Sequence, residues 1–95
     1  ADIVYVPDEF RLRPAYPNPF NPVTNISVDV PEEMLLSVNI FDINGRLIDS
    51  LIDNELVEPG HKMFMWNADN QASGIYLVYV KTMKNNFAQR ITLLK

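Results

Sequence analysis

His61 is the only histidine in 95 residues, and it stands alone as a candidate for chemistry. A metal site wants two or more ligands at defined spacing, and a nucleophile wants a partner base. His61 follows Gly60 at the start of an extended run, where a solvent-facing edge residue is expected. The acids Asp42, Asp49, Asp53, Glu55, Glu58 and Asp69 could supply glycosidase carboxylates, which must face each other across a cleft. Their spacing shows no such pair, and a solvated surface in turns and outward positions is the expectation. Asn67-Ala68-Asp69-Asn70 comes nearest to a calcium loop, but it lacks the alternating acids and the closing Glu, so a turn is expected there. Trp66, Tyr76 and Tyr79 could form a sugar-stacking platform. Trp66 shares parity with Phe64, however, and a small sandwich needs a large core aromatic. Gly45, Gly60 and Gly74 are isolated and lie in turns, so no phosphate loop exists. No enzyme, cofactor or metal is expected.

The composition bounds the remaining choices. Hydrophobic residues at 47% with 21% charged fit one globular domain with a single modest core. Twelve acids against eight bases give −4, the wrong sign for a generic nucleic-acid or anionic-lipid surface. The absence of cysteine removes disulfides, thiolate metal sites and thiol nucleophiles, without fixing the compartment. No apolar run approaches the ~18 residues that span a bilayer as a helix, and no membrane insertion is expected. Ala1-Asp2-Ile3-Val4 lacks the basic-then-apolar order of a signal peptide and reads as the excised end of a longer chain.

The element around which the chain is arranged is Tyr16-Pro17-Asn18-Pro19-Phe20-Asn21-Pro22. Three prolines in seven residues forbid a helix, fix φ and push each preceding residue toward extended geometry. Such a strap is stiff before folding. Tyr16 and Phe20 are expected as apolar pegs on it, and the two Asn as turn caps. Residues 1–9 read as linker, with a short strand through Ile3, Val4, Tyr5 and Val6 as an option. Phe10 to Arg13 alternates apolar and basic, as a half-buried edge strand does.

Downstream, the pattern is strands and turns. In Thr24 to Val30, Ile26, Val28 and Val30 face a core, while Ser27 and Asp29 are expected in water. Leu36 to Asp42 puts Leu36, Val38 and Ile40 on one face, and Asn44-Gly45 predicts a type I′ hairpin. From Arg46 to Val57 the parity breaks. A bulge near Asp49-Ser50 would restore it, although the spacing of Leu47, Ile48, Leu51 and Ile52 also fits a helical turn. Pro59-Gly60 is a turn. Lys62, Phe64 and Trp66 then alternate with Met63 and Met65. Ile75 to Thr82 places Tyr76, Val78 and Val80 on one face, Lys84-Asn85-Asn86 is a hairpin loop, and Phe87 to Lys95 is the last strand. About seven strands with turn signals every 8–12 residues predict an all-β, Ig-like antiparallel β-sandwich over residues 10–95.

These pieces have a familiar order. Leu12 to Pro22 with Thr24-Asn25-Ile26 resembles the opening of the type A C-terminal sorting domain of the bacterial type IX secretion system. Val38 to Arg46 resembles its central hairpin, Gly60 to Trp66 and Ser73-Gly74-Ile75-Tyr76 its next motifs, and Arg90 to Lys95 its closing strand. Lys62 stands where the family often has His, and Arg90 where it often has Lys. The resemblance implies a sorting signal that sends an upstream cargo through the outer-membrane type IX translocon, for release or for surface attachment by a sortase. It implies recognition through Tyr16, Pro17, Asn18, Pro19, Gly45, Ser73, Gly74, Tyr76, Arg90, Leu93, Leu94 and Lys95. Related Ig-like sandwiches in flagellar hook-capping proteins leave a spacer or assembly role as an alternative, and a carbohydrate-binding accessory sandwich is another. If the last strand, finishing in Leu93-Leu94-Lys95, lies at a sheet edge, a partner can read its unpaired backbone by strand addition.

Overall fold

A computed structural model describes residues 6–95. The strand expected through Ile3, Val4 and Tyr5 lies outside the described residues, and Val6 belongs to no strand. Seven strands follow: β1 (Arg11–Leu12), β2 (Val23–Val30), β3 (Met34–Asp42), β4 (Leu47–Val57), β5 (Gly60–Asn67), β6 (Gly74–Lys81) and β7 (Asn86–Leu93). They form two sheets, in the orders β1-β2-β5 and β4-β3-β6-β7, and every strand pairing is antiparallel. No helix occurs among the described residues.

Period-two alternation builds the core. Ile26, Val28, Val30 and Trp66 from one sheet meet Leu36, Val38, Ile40, Tyr76, Val78, Val80, Ile91 and Leu93 from the other, all buried. Trp66 and Tyr76 pack edge to face with ring centroids 5.3 Å apart, a geometry that suits their quadrupoles. The indole N–H, which would otherwise be a buried donor without a partner, reaches the Asp49 carboxylate at 3.1 Å. That bond also ties β5 to β4 across the open side of the sandwich. With its ring enclosed, Trp66 offers no face to a sugar, and a stacking platform built on it is ruled out.

β4 is a strand, and its broken parity has a physical origin. Its register against β3 shifts at Leu36/Val38, Val38/Asn39 and Ile40/Phe41. Three irregularities, where one was expected, rotate successive stretches of β4 about its axis, so no single alternation can describe it. The hairpin before it is also built differently from expectation. Gly45 N–H bonds to the Asp42 carbonyl at 3.0 Å, and Asp42 N–H to the Arg46 carbonyl at 3.0 Å. Only Gly45 of the loop has positive φ, at 83°. This is a three-residue loop with glycine in the left-handed position, and a type I′ turn would need Asn44 there as well. Asp42 explains the choice. Its buried carboxylate accepts from Asn44 N–H at 2.9 Å, Arg46 N–H at 3.0 Å and Arg46 Nε at 2.8 Å. Asp42 was expected as solvated surface and is instead the organiser of the turn. Those donors, the Arg46 backbone first, hold its carboxyl below the usual carboxylate range against the opposing effect of burial.

The β6–β7 loop is built in the same way around Thr82. Its hydroxyl accepts from Asn85 N–H at 3.0 Å, and its N–H donates to the Asn85 carbonyl at 2.8 Å. Every buried side-chain nitrogen and oxygen among the described residues has a partner, as a native-like core requires.

Candidate recognition site

The proline strap joins the two sheets. It begins on the first sheet, where Tyr16 and Asn25 exchange both backbone bonds at 3.1 and 3.0 Å. The Thr24 hydroxyl holds the Pro17 carbonyl at 2.7 Å. It ends on the second sheet, where Phe20 N–H donates to the Thr92 carbonyl at 2.9 Å and Leu94 N–H to the Phe20 carbonyl at 3.0 Å. Between these points, Asn18 accepts from Thr92 N–H at 3.0 Å and donates to the Arg90 carbonyl at 3.3 Å. The peptides Tyr16-Pro17, Asn18-Pro19 and Asn21-Pro22 are all cis.

One consequence overturns an expectation from the sequence. β7 does lie at a sheet edge, but the Arg90 carbonyl, both backbone groups of Thr92 and the Leu94 N–H are already bonded to Asn18 and Phe20. Strand addition there is blocked. Upstream the same seam continues, with the Gln89 side chain accepting from Ala15 N–H at 2.7 Å and donating to the Arg13 carbonyl at 3.0 Å. Phe10 stacks on Phe87 at 5.1 Å. Gln89 was missed, although a signal existed: it is the polar member of the inward series Phe87, Gln89, Ile91, Leu93.

The two aromatic residues of the strap behave oppositely. Phe20 is a core peg, 2% exposed and 5.7 Å from the Trp66 ring. Tyr16 is no peg, because its side chain is 78% exposed. Pro17, Asn18 and Pro19 are exposed with it, so the strap shows solvent a continuous Tyr-Pro-Asn-Pro surface. Register places most of the remaining motif residues at the same end of the molecule. Gly74 pairs with Leu93, and Tyr76 with both Asp42 and Ile91, which sets the Gly45 turn beyond that row. The Ser73 hydroxyl accepts from Lys95 N–H at 2.9 Å, and Lys95 Nζ donates to the Asp69 carbonyl. The Tyr76 hydroxyl donates to the Ala72 carbonyl at 2.6 Å, anchoring the same loop. Leu93 and Tyr76 are buried, whereas Leu94, Lys95, Arg90, Ser73, Gly74 and Gly45 are exposed. The turn expected here spans Ala68 to Gln71, closed by Gln71 N–H on the Ala68 carbonyl at 2.9 Å, with Asn67 still the last residue of β5.

A second polar cluster fixes the start of the domain. Asp29, expected in water, is 1% exposed because charged groups cover it. Arg13 Nε lies 3.0 and 2.9 Å from its two oxygens and a terminal guanidinium nitrogen 2.7 Å from Oδ2. Nδ1 of His61 lies 2.9 Å from Oδ1, and Arg11 sits at 4.0 Å. His61 is therefore exposed but engaged. Arg13 first, then His61, hold the Asp29 carboxyl below its usual range, while burial opposes them. A lowered folded-state value means that the stabilisation is complete above the unfolded value near 4 and is lost as pH falls through the folded one. We therefore expect Asp29→Asn to lose about 1–3 kcal/mol at neutral pH and to flatten the fall in stability between about pH 5 and pH 2, as read by urea titration. A variant with the parent's pH profile would show that Asp29 does not set it.

The described residues contain no group of three or more metal-ligating side chains. What fold and site define is an all-β sandwich whose first segment is laced along its last strand, with an exposed motif surface at one end. The profile of the family described as secretion system C-terminal sorting domain matches residues 14–93, and the chain belongs to that family. Its members are the sorting signals of type IX secretion cargo, carried across the outer membrane to be secreted or held at the cell surface. No curated protein matches the chain.

Proposed function

We propose that this domain is read by the outer-membrane translocon through the strap and the end of β7 acting as one unit, without catalysis of its own. The observation that carries the proposal is the lacing of Asn18 and Phe20 onto Arg90, Thr92 and Leu94. Two motifs more than 70 residues apart in sequence become neighbours only in the folded sandwich. A reader of Tyr16, Pro17, Asn18, Pro19, Arg90, Leu94 and Lys95 therefore also checks that folding is complete. Leu93 and Tyr76 support that surface from the core, and Gly45, Ser73 and Gly74 shape the loops beside it. Residues 1–9 serve as linker to the upstream cargo and 10–95 as the signal, with a surface sortase acting ahead of residue 10.

The test is transfer. An inert reporter carrying residues 10–95 at its C-terminus is expected at the surface or in the medium of a type IX-competent cell, and in the periplasm of a translocon mutant. Periplasmic retention in the competent cell would sink the proposal and favour an accessory or spacer role.

A further inference from the structure

Two open sheets have four edge strands: β1 and β5 in one, β4 and β7 in the other. An edge is a row of unpaired backbone groups that invites another strand unless something blunts it. β1 is two residues long, and Pro14 follows after a single intervening residue. β4 is interrupted by three register shifts, carries Asp49, Asp53 and Glu55, and places Asn54 at a φ of 49°. The C-terminal half of β7 is closed by Asn18 and Phe20, and the Gln89 side chain ties the stretch before it to Arg13 and Ala15. β5 is blunted only at its start, by the charge of Lys62. All eight of its residues pair with β2 without a register shift, and it contains neither a proline nor an acid.

The register also says which groups are available. On β2, Asn25 and Ser27 spend their backbone bonds on Tyr16 and Arg13, so Thr24, Ile26, Val28 and Val30 bond toward β5. Their partners Trp66, Phe64, Lys62 and Gly60 are thereby used. The N–H and C=O groups of His61, Met63, Met65 and Asn67 point outward. Met63 and Met65 are also 59% and 64% exposed, forming an adaptable apolar strip along the same edge.

We infer that the outer edge of β5 is where an extended strand of the type IX translocon adds to the domain, an inference that rests on the sorting function proposed above. The outward row specifies an extended backbone as its occupant, over about 25 Å. The side chains narrow the choice. His61 and Lys62 give the strand a basic start, so the complementary strand is apolar opposite Met63 and Met65 and acidic beside Lys62. A second copy of this chain fits poorly, since it would bring only bases and no acid to the seam. A single seam of eight residues is also small beside the ~800 Å² per partner that a stable dimer buries. The strap surface and the β5 edge are then two separate contacts with one machine, the first reading sequence motifs and the second holding main chain.

The experiment is hydrogen–deuterium exchange on the 95-residue chain, with and without detergent-solubilised translocon, together with binding of Met65→Pro. Proline there removes an outward N–H and no bond to β2. Expected results are new protection of the amides of His61, Met63, Met65 and Asn67 in the complex, and binding weakened about tenfold or more in Met65→Pro. If that variant fails to fold, Met63→Lys/Met65→Lys, which keeps the ladder to β2, is expected to weaken binding similarly. Binding without protection of β5, and at parent strength in these variants, overturns the β5 inference and leaves the sorting function standing. Failure of the parent chain to bind overturns both. A dimer of the free chain protected along β5 overturns it in favour of self-pairing.

Discussion

A chain carrying Phe20→Ala is expected to melt about 20 °C below the parent while keeping the strap's backbone bonds. Phe20 is 2% exposed and packs beside Trp66. Removing such a side chain typically costs about 3–5 kcal/mol, counting both the lost transfer energy and the cavity left behind. A domain of this size holds about 5–13 kcal/mol in total, and each kcal/mol moves the midpoint by about 4–8 °C. The loss is therefore a large share of all the stability there is. The backbone bonds of Phe20 to Thr92 and Leu94 do not involve its ring, so the deficit reports packing and not detachment of the strap. Two companions sharpen the reading. Phe20→Leu refills most of the volume and should lose about 1–2 kcal/mol. Tyr16→Ala, at an exposed ring, should stay within about 0.5 kcal/mol of the parent and yet reduce export if that ring is part of the surface proposed above to meet the translocon. Thermal melts and urea titrations decide this. A Phe20→Ala chain within about 1 kcal/mol of the parent would mean that the strap can leave the core without consequence.

How much of this was legible in the sequence depends on how local the cause was. Strands β2, β3, β6 and β7 could be read because Ile26-Val28-Val30, Leu36-Val38-Ile40, Tyr76-Val78-Val80 and Ile91-Leu93 obey a period of two, and burial on one face is the whole reason for that period. β4 resisted because each register shift resets the parity. Asp29 looks like an outward residue by alternation and faces away from the core, whereas Asp42 continues the inward series of Leu36, Val38 and Ile40 at the end of β3. What buries them is a cap of charge and backbone supplied by Arg13 and His61 in one case and by a turn in the other. Arg11 and Arg13, two apart on one face and both basic, were a visible hint that something anionic lay opposite. The pairing of Asn18 with Arg90 and Thr92 had no local trace at all. Resemblance named both segments as motifs, but only the fold shows that they form one surface, and only the fold shows that the last strand's edge is closed.

That closed edge changes what a truncation can show. The simple expectation is that trimming the last residues abolishes export and leaves the domain folded. Leu93, however, is fully buried and pairs with Gly74, so removing it adds a core cavity on the order of 3 kcal/mol or more and confounds folding with recognition. Ending the chimera after Leu93 avoids this. Leu94 and Lys95 contribute a backbone bond to Phe20, one to the Ser73 hydroxyl and one from Lys95 Nζ to the Asp69 carbonyl. All of these lie near the surface, where each is worth about 0.5–1 kcal/mol net. A reporter ending at Leu93 is thus expected to lose only about 2 kcal/mol and to remain folded, as judged by its melt and by protease resistance. Its export is nonetheless expected to fall to the level of the reporter alone, with folded protein accumulating in the periplasm. Export at the parent level would show that the strand end is structural only and that recognition lies entirely in the strap. Loss of export together with loss of folding would mean that the three bonds carry far more than surface hydrogen bonds do, and that the strap–β7 seam is a folding latch before it is a signal.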